Sequence, residues 1–178
     1  MEKQLENFGL TAERFSAIER EEGIVGCGLS HLHVLKIAKE RKYKNILILE
    51  EDFLFLVSPE KFCENLKELE KYQLFDVCML SYNNHNYENI DNSIFMKINF
   101  AQTASGYIIN SHYYDKLISL YEWSIPLLEQ TKMHWEYAND VVWKNLQKYD
   151  NWVGFKERQG KQMASYSDNS KQFCDYNC

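Results

Sequence analysis

The run Ile46-Leu47-Ile48-Leu49 is wholly apolar, is followed at once by Glu50-Glu51-Asp52, and leads into a second apolar block from Phe53 to Val57. A short run with no polar alternation suits a strand buried on both faces, as in a parallel sheet covered by helices. The three acids then fall at its carboxyl end, where open α/β sheets place their ligands. Extended backbone alternates its side chains, so Glu50 and Asp52 point to one side and Glu51 to the other. Two carboxylates on one side repel, and burial makes their ionisation costlier, unless a cation compensates them. Oxygen donors of this kind suit Mn²⁺ or Mg²⁺, which keep waters and bridge to a diphosphate. The same run also fits a solvated acidic turn between two strands.

Apolar runs and helical periodicity alternate along the rest of the chain. Residues 1–8 read as a helix ended by Gly9, the residue that most readily takes a left-handed cap. Glu13 to Ile18 reads as a short strand. Leu32, Leu35 and Ala38 recur at helical spacing between Ser30 and about Arg41, with Ser30 as the N-cap. A helix is expected over Pro59 to Tyr72 and an apolar strand over Phe75 to Leu80. Tyr82 to Ser93, dense in Asn, reads as an exposed loop. Strands over Ile94 to Ile98 and Thr103 to Ile109 precede a helix from Ser111 to Tyr121. A last helix over Asn139 to Tyr149 and a strand over Trp152 to Phe155 follow. Strands alternating with helices argue for an α/β sandwich. The 178 residues hold no repeat and no Pro/Gly-rich linker, which gives a single domain, 1–178, with a polar C-terminal tail over 156–178.

The net charge of −6 opposes bulk attraction to nucleic acid or to an anionic membrane. No apolar run approaches the ~20 residues of a membrane span. The first residues lack the apolar core of a signal peptide, so a cytoplasmic protein is expected. The cysteines, Cys27, Cys63, Cys78, Cys174 and Cys178, are odd in number and form no C-x-x-C pair. They read as reduced thiols, not as a disulfide framework or a zinc site, with Cys174 and Cys178 the one candidate late pair.

Three further segments carry candidate chemistry. In Gly26-Cys27-Gly28-Leu29-Ser30-His31, two glycines ahead of a helix start let the backbone approach a ligand, and the helix start favours an anion. The segment equally fits a loop that turns the chain, with His31 partly buried. The small residues of Thr103-Ala104-Ser105-Gly106-Tyr107 make room for a ligand or for a neighbouring helix. Asp140, at an expected helix start, suits the helix dipole as a plain terminal charge. His33, His85, His112 and His134 are scattered, form no i, i+4 metal pair, and receive no role.

Taken in order, Glu13-Arg14-Phe15-Ser16-Ala17-Ile18, Gly26-Cys27-Gly28-Leu29-Ser30-His31, Leu49-Glu50-Glu51-Asp52 and Ser105-Gly106-Tyr107-Ile108-Ile109 resemble glycosyltransferase family 25. These are the lipopolysaccharide-type glycosyltransferases and collagen galactosyltransferases. The family's pattern runs E-R-F-x-A-I/V, G-C-x-x-S-H, L-E-D-D and G-Y-x-x-S; its middle acid is Glu51 here. Family members open with a strand before the first helix, and this chain begins within that helix, so the resemblance implies a domain lacking its first strand.

The resemblance implies a GT-A-like fold, a three-layer α/β/α sandwich around a mostly parallel sheet. It implies transfer of a hexose, galactose or glucose, from a UDP-sugar donor to a hydroxyl acceptor on a glycan, lipopolysaccharide or protein. Mn²⁺ (or Mg²⁺) is the implied cofactor, with Asp52 its ligand and Glu50 placing the ribose or a metal-bound water. Gly26, Ser30, His31, Glu50, Glu51, Ser105, Gly106 and Tyr107 are the implied donor-side positions, and Asp140 the implied catalytic base. A nucleotide-sugar-binding module without turnover is the alternative. A metal-dependent nucleotide hydrolase rests on the acids alone and lacks a phosphate loop.

Overall fold

The computed structural model describes residues 1–167 and 172–175. In chain order its elements are α1 (Glu2–Asn7), α2 (Gly23–Glu40), β1 (Asn45–Leu49), β2 (Phe53–Phe55), α3 (Pro59–Lys71), β3 (Val77–Met79), β4 (Asn83–Glu88), β5 (Phe95–Gln102) and β6 (Gly106–Asn110). A 3-10 turn at Ser111–Tyr113 then leads into α4 (Tyr114–Thr131). The chain continues with α5 (His134–Tyr137), α6 (Asn139–Val142), α7 (Lys144–Gln147), β7 (Trp152–Phe155), β8 (Gly160–Gln162), β9 (Ser165–Ser167) and β10 (Gln172–Cys174).

Six strands form one sheet in the order β1-β6-β3-β7-β5-β4. Alternate residues of its central strands face opposite cores. Val77, Met79, Tyr107, Ile109 and Trp152 pack with Leu32, Leu35, Leu117, Tyr121 and Ile125 from α2 and α4. Cys78, Leu80, Ile108, Val153 and Phe155 pack with Phe62 and Leu69 from α3, and with Phe53 and Phe55 of β2. Helices therefore cover both faces, as the apolar character of these strands requires. Gly28 lets α2 close on α4, since a Cβ there would meet Ile125 Cγ1 at 3.3 Å.

The sheet is mixed and mostly antiparallel, which corrects the expectation of a mostly parallel one. Only β3 and β7 run parallel; β1 with β6, β6 with β3, β7 with β5 and β5 with β4 are all antiparallel. An all-apolar run reports burial on both faces and says nothing of strand direction. Direction depends on which strands pair, and β6 inserts between β1 and β3 antiparallel to both.

Several local expectations also change. The strand expected at Glu13 to Ile18 is irregular backbone, and α2 starts at Gly23, seven residues before the expected cap. Tyr82 to Ser93 is not all loop, because β4 pairs along β5 as an edge strand whose polar composition suits the solvent side. The expected strand from Thr103 begins at Gly106, and the helix after it continues to Thr131. The helix expected over Asn139 to Tyr149 is broken at Trp143, whose indole N–H donates to the Ala101 carbonyl at 3.1 Å. By contrast, α3 starts as its sequence requires, with Ser58 Oγ accepting from the Lys61 N–H at 3.2 Å and Pro59 in the first turn.

The polar tail does more than follow the surface. Its first part forms β8, which pairs antiparallel with β2, and Gln159 is fully buried, where its side chain accepts from Asn65 Nδ2 at 2.8 Å. Cys27, Cys63 and Cys78 are free thiols, whereas Cys178 lies outside the described residues, and the late pair with it. Among the described residues no helix is long and apolar enough to cross a membrane.

Candidate functional site

The site forms where β1 ends. The last residue of β1, Leu49, pairs with Gly106, and the Glu50 N–H extends the ladder by donating to the Ser105 carbonyl at 2.8 Å. The Phe53 N–H then donates to the Glu50 carbonyl at 3.1 Å, closing a tight turn over the three acids. Phe53 holds that turn in place. Its ring fills the space left by two glycines: a Cβ would stand 2.3 Å from it at Gly106 and 2.0 Å from it at Gly160. Gly106, expected to make room for a ligand, makes room for this ring. Gln4 of α1 bonds both ends of β2, donating to the Phe53 carbonyl at 3.0 Å and accepting from the Phe55 N–H at 3.2 Å.

Two side chains of α2 reach Glu50. Cys27 and His31 are four residues apart and so lie on one helix face. His31 Nε2 is 2.9 Å from Glu50 Oε1, and Cys27 Sγ donates to the same oxygen at 3.6 Å. The other ring nitrogen, His31 Nδ1, is 2.7 Å from the Tyr107 hydroxyl. Tyr107 is fully buried on β6, and His31 is nearly so. Beside them the hydroxyls of Ser81 and Ser105, both fully buried, share a hydrogen bond of 2.6 Å.

Asp52 and Asp140 complete the acidic cluster. Asp52 Oδ2 accepts from Gln162 Nε2 at 2.8 Å, while its buried Oδ1 has no hydrogen-bond partner among the described residues. Asp140 lies in the first turn of α6, and its Oδ2 accepts from the Thr103 N–H at 3.3 Å. Thr103 takes a φ of 90°, which a β-branched residue adopts only under strain. Glu51 is exposed, and its charge still reaches Asp52.

The electrostatics tie these groups together. Burial pushes the Glu50 carboxyl up, but hydrogen bonding and attraction from His31, with help from Cys27, more than offset it, leaving Glu50 below the ordinary value. Asp52 is raised by burial and by the Glu50 and Glu51 charges, against the pull of Gln162. Asp140 is raised by burial and by Glu50, against the Thr103 N–H and Lys144. The Cys27 thiol is held well above its usual range by burial and by Glu50, Asp140 and Asp52. Glu50 raises both aspartates, and partly desolvated acids beside another negative charge form an environment that a cation relieves.

Of the positions expected from sequence, Glu50, Asp52, His31, Ser105, Tyr107 and Asp140 come together. Gly26 and Ser30 do something else. A Cβ at Gly26 would stand 2.3 Å from the Ile18 carbonyl, and Ser30 Oγ accepts from the Ile18 N–H and donates to the Gly26 carbonyl, both at 2.8 Å. They clamp the irregular segment before α2 onto the helix; Ser30 is within the helix and does not cap it. Three further participants carried weak sequence signals. Cys27 is visible only once the helix is known to include it, Gln162 lies in a polar tail, and Thr103 declares itself through backbone conformation alone.

No protein-family model matches the chain, and no curated protein matches it.

Proposed function

We propose that this chain is a metal-dependent glycosyltransferase that moves a hexose, galactose or glucose, from a UDP-sugar to a hydroxyl on a glycan, lipopolysaccharide or protein. The observation that supports the reading most is the meeting of three acids from two separate segments at the carboxyl end of β1. Glu50 and Asp52 come from the turn after β1, and Asp140 from the start of α6. Helices on both faces of one sheet also accord with a GT-A-like arrangement, although the strand directions depart from it.

The residues fit a hard divalent cation at Asp52. Its Oδ1 is buried without a partner, and its carboxyl is raised by burial and neighbouring negative charge. When bound there, Mn²⁺ or Mg²⁺ neutralises the diphosphate leaving group as a Lewis acid. Gln162 fixes the Asp52 carboxylate by its other oxygen, and His31 fixes Glu50. Asp140 takes the proton of the acceptor hydroxyl. Burial makes it a stronger base than a solvated aspartate, and the Thr103 N–H orients it.

The test is release of UDP from UDP-galactose and UDP-glucose, with Mn²⁺ or with a chelator. Mn²⁺-dependent release, accelerated by a hydroxylated acceptor, is expected. Binding of UDP without any release contradicts the proposal and identifies a binding module instead.

A further inference from the structure

We propose that Cys27, His31 and Glu50 form a zinc site, distinct in its donors from the hard-cation position at Asp52. The sequence alone argued against zinc, because no C-x-x-C pair and no pair of histidines at i, i+4 is present. The structure supplies a different pair: a cysteine and a histidine one helical turn apart on α2, facing a carboxylate at the end of β1. Sγ, Nε2 and a carboxylate oxygen all lie within 4.8 Å of one another.

The distances suit the ion. Zinc bonds of about 2.3 Å to sulfur and about 2.0–2.2 Å to nitrogen and oxygen place tetrahedral donors roughly 3.4–3.6 Å apart. Cys27 Sγ and Glu50 Oε1 already stand 3.6 Å apart, and His31 Nε2 and Glu50 Oε1 stand 2.9 Å apart. Insertion therefore asks the His31–Glu50 contact to open by about half an ångström.

The surroundings suit it as well. A zinc-bound histidine donates its other ring N–H to an oriented acceptor. Here Nδ1 lies 2.7 Å from the Tyr107 hydroxyl, on a tyrosine that packing holds still. The Glu50 side chain keeps 27% of its surface exposed, which leaves the ion a way in and a fourth position open to water. A thiolate favours zinc over Mn²⁺ or Mg²⁺. Binding is a simple exchange: the sulfur lone pair replaces the S–H bond with a bond to the ion, and the proton leaves to solvent.

Zinc titration of tag-free protein against a chromophoric chelator, without nucleotide or Mn²⁺, tests the site. One equivalent is expected, and Co²⁺ in its place is expected to give a sulfur-to-cobalt charge-transfer band. Cys27→Ser is expected to abolish both, Cys63→Ser on exposed α3 to change neither, and Tyr107→Phe to weaken zinc binding ~10–100-fold. If Cys27→Ser fails to fold, by its far-ultraviolet dichroism, the cobalt spectrum of the parent and the Tyr107→Phe affinity still decide. Absence of the charge-transfer band in folded parent protein, or zinc affinity unchanged in folded Cys27→Ser, overturns the proposal. Because no nucleotide is present, that failure leaves the sugar-transfer reading untouched, and failure of UDP release leaves this one untouched.

Discussion

His31 Nε2 stands 2.9 Å from Glu50 Oε1. Through this contact α2 meets the carboxyl end of β1, and it sets the ionisation of the acid that neighbours both Asp52 and Asp140. The other ring nitrogen, Nδ1, stands 2.7 Å from the Tyr107 hydroxyl, so one ring joins the acid to a fully buried tyrosine. The arrangement holds Glu50 below its ordinary value in a place where burial alone would raise it.

His31→Ala leaves the half-buried Glu50 oxygen with the weak Cys27 donor alone and takes a partner from the fully buried Tyr107 hydroxyl, at a cost of about 1–3 kcal/mol in chemical denaturation. The pH dependence is expected to reverse. In the parent, Glu50 has a lowered folded pKa, so its stabilisation is present above the ordinary value of 4.5 and is lost as pH falls through the folded value. Without His31, burial raises the folded pKa, and the variant gains stability relative to the parent as pH falls. Carbon-13 titration of the Glu50 carboxyl reads the shift directly, and an unchanged midpoint contradicts the account.

Asp140→Asn separates a catalytic base from a helix-end charge. A raised folded pKa means the native state binds more protons than the unfolded chain between 3.8 and the folded value, so stability falls as pH rises through that window. Removing the acid is therefore expected to leave the melting temperature at pH 7 no lower than the parent's. Turnover is expected to drop ~10²–10⁴-fold. Normal sugar transfer by this variant removes Asp140 from the chemistry.

Gly106→Ala and Gly160→Ala both push a methyl into the Phe53 ring, at 2.3 Å and 2.0 Å. Overpacking of this kind costs about 1–3 kcal/mol. Adding Phe53→Leu is expected to recover part of the loss in either background, measured by urea denaturation. If the double variant is no more stable than the glycine variant alone, the ring is not what the glycines accommodate.

Much of the architecture could be read from the chain because it rests on apolar periodicity. Trp152 to Phe155 became a strand buried on both faces, Ile46 to Leu49 became an edge strand in which only Ile48 is buried, and Ser58-Pro59 opened α3 as a capped helix should. What could not be read was set by tertiary contacts. Strand direction followed from which strands paired, and β4 formed despite its polar sequence because β5 offered it a partner. The start of α2 had the largest consequence. Placing it at Ser30 put Cys27 outside the helix and hid its spacing to His31; with the helix beginning at Gly23, the two share a face. Gln162 reached Asp52 from a segment whose composition suggested only surface.

Ser30→Ala tests the clamp before α2. The variant loses the acceptor for the Ile18 N–H, a change worth about 0.5–1.5 kcal/mol, and faster hydrogen exchange of that amide is the local signature. Unaltered exchange at Ile18 contradicts the clamp, and a matching loss of UDP affinity returns Ser30 to the donor side.

The central claim is that Asp52 holds the cation that binds the nucleotide diphosphate. Calorimetric titration of UDP with and without Mn²⁺ tests it most directly, on the parent and on Asp52→Asn, which keeps the volume of the side chain and can still accept from Gln162. The parent is expected to bind UDP more tightly with Mn²⁺, and Asp52→Asn to lose that dependence while melting as a folded protein. Equal Mn²⁺-linked UDP affinity in the two proteins contradicts the claim.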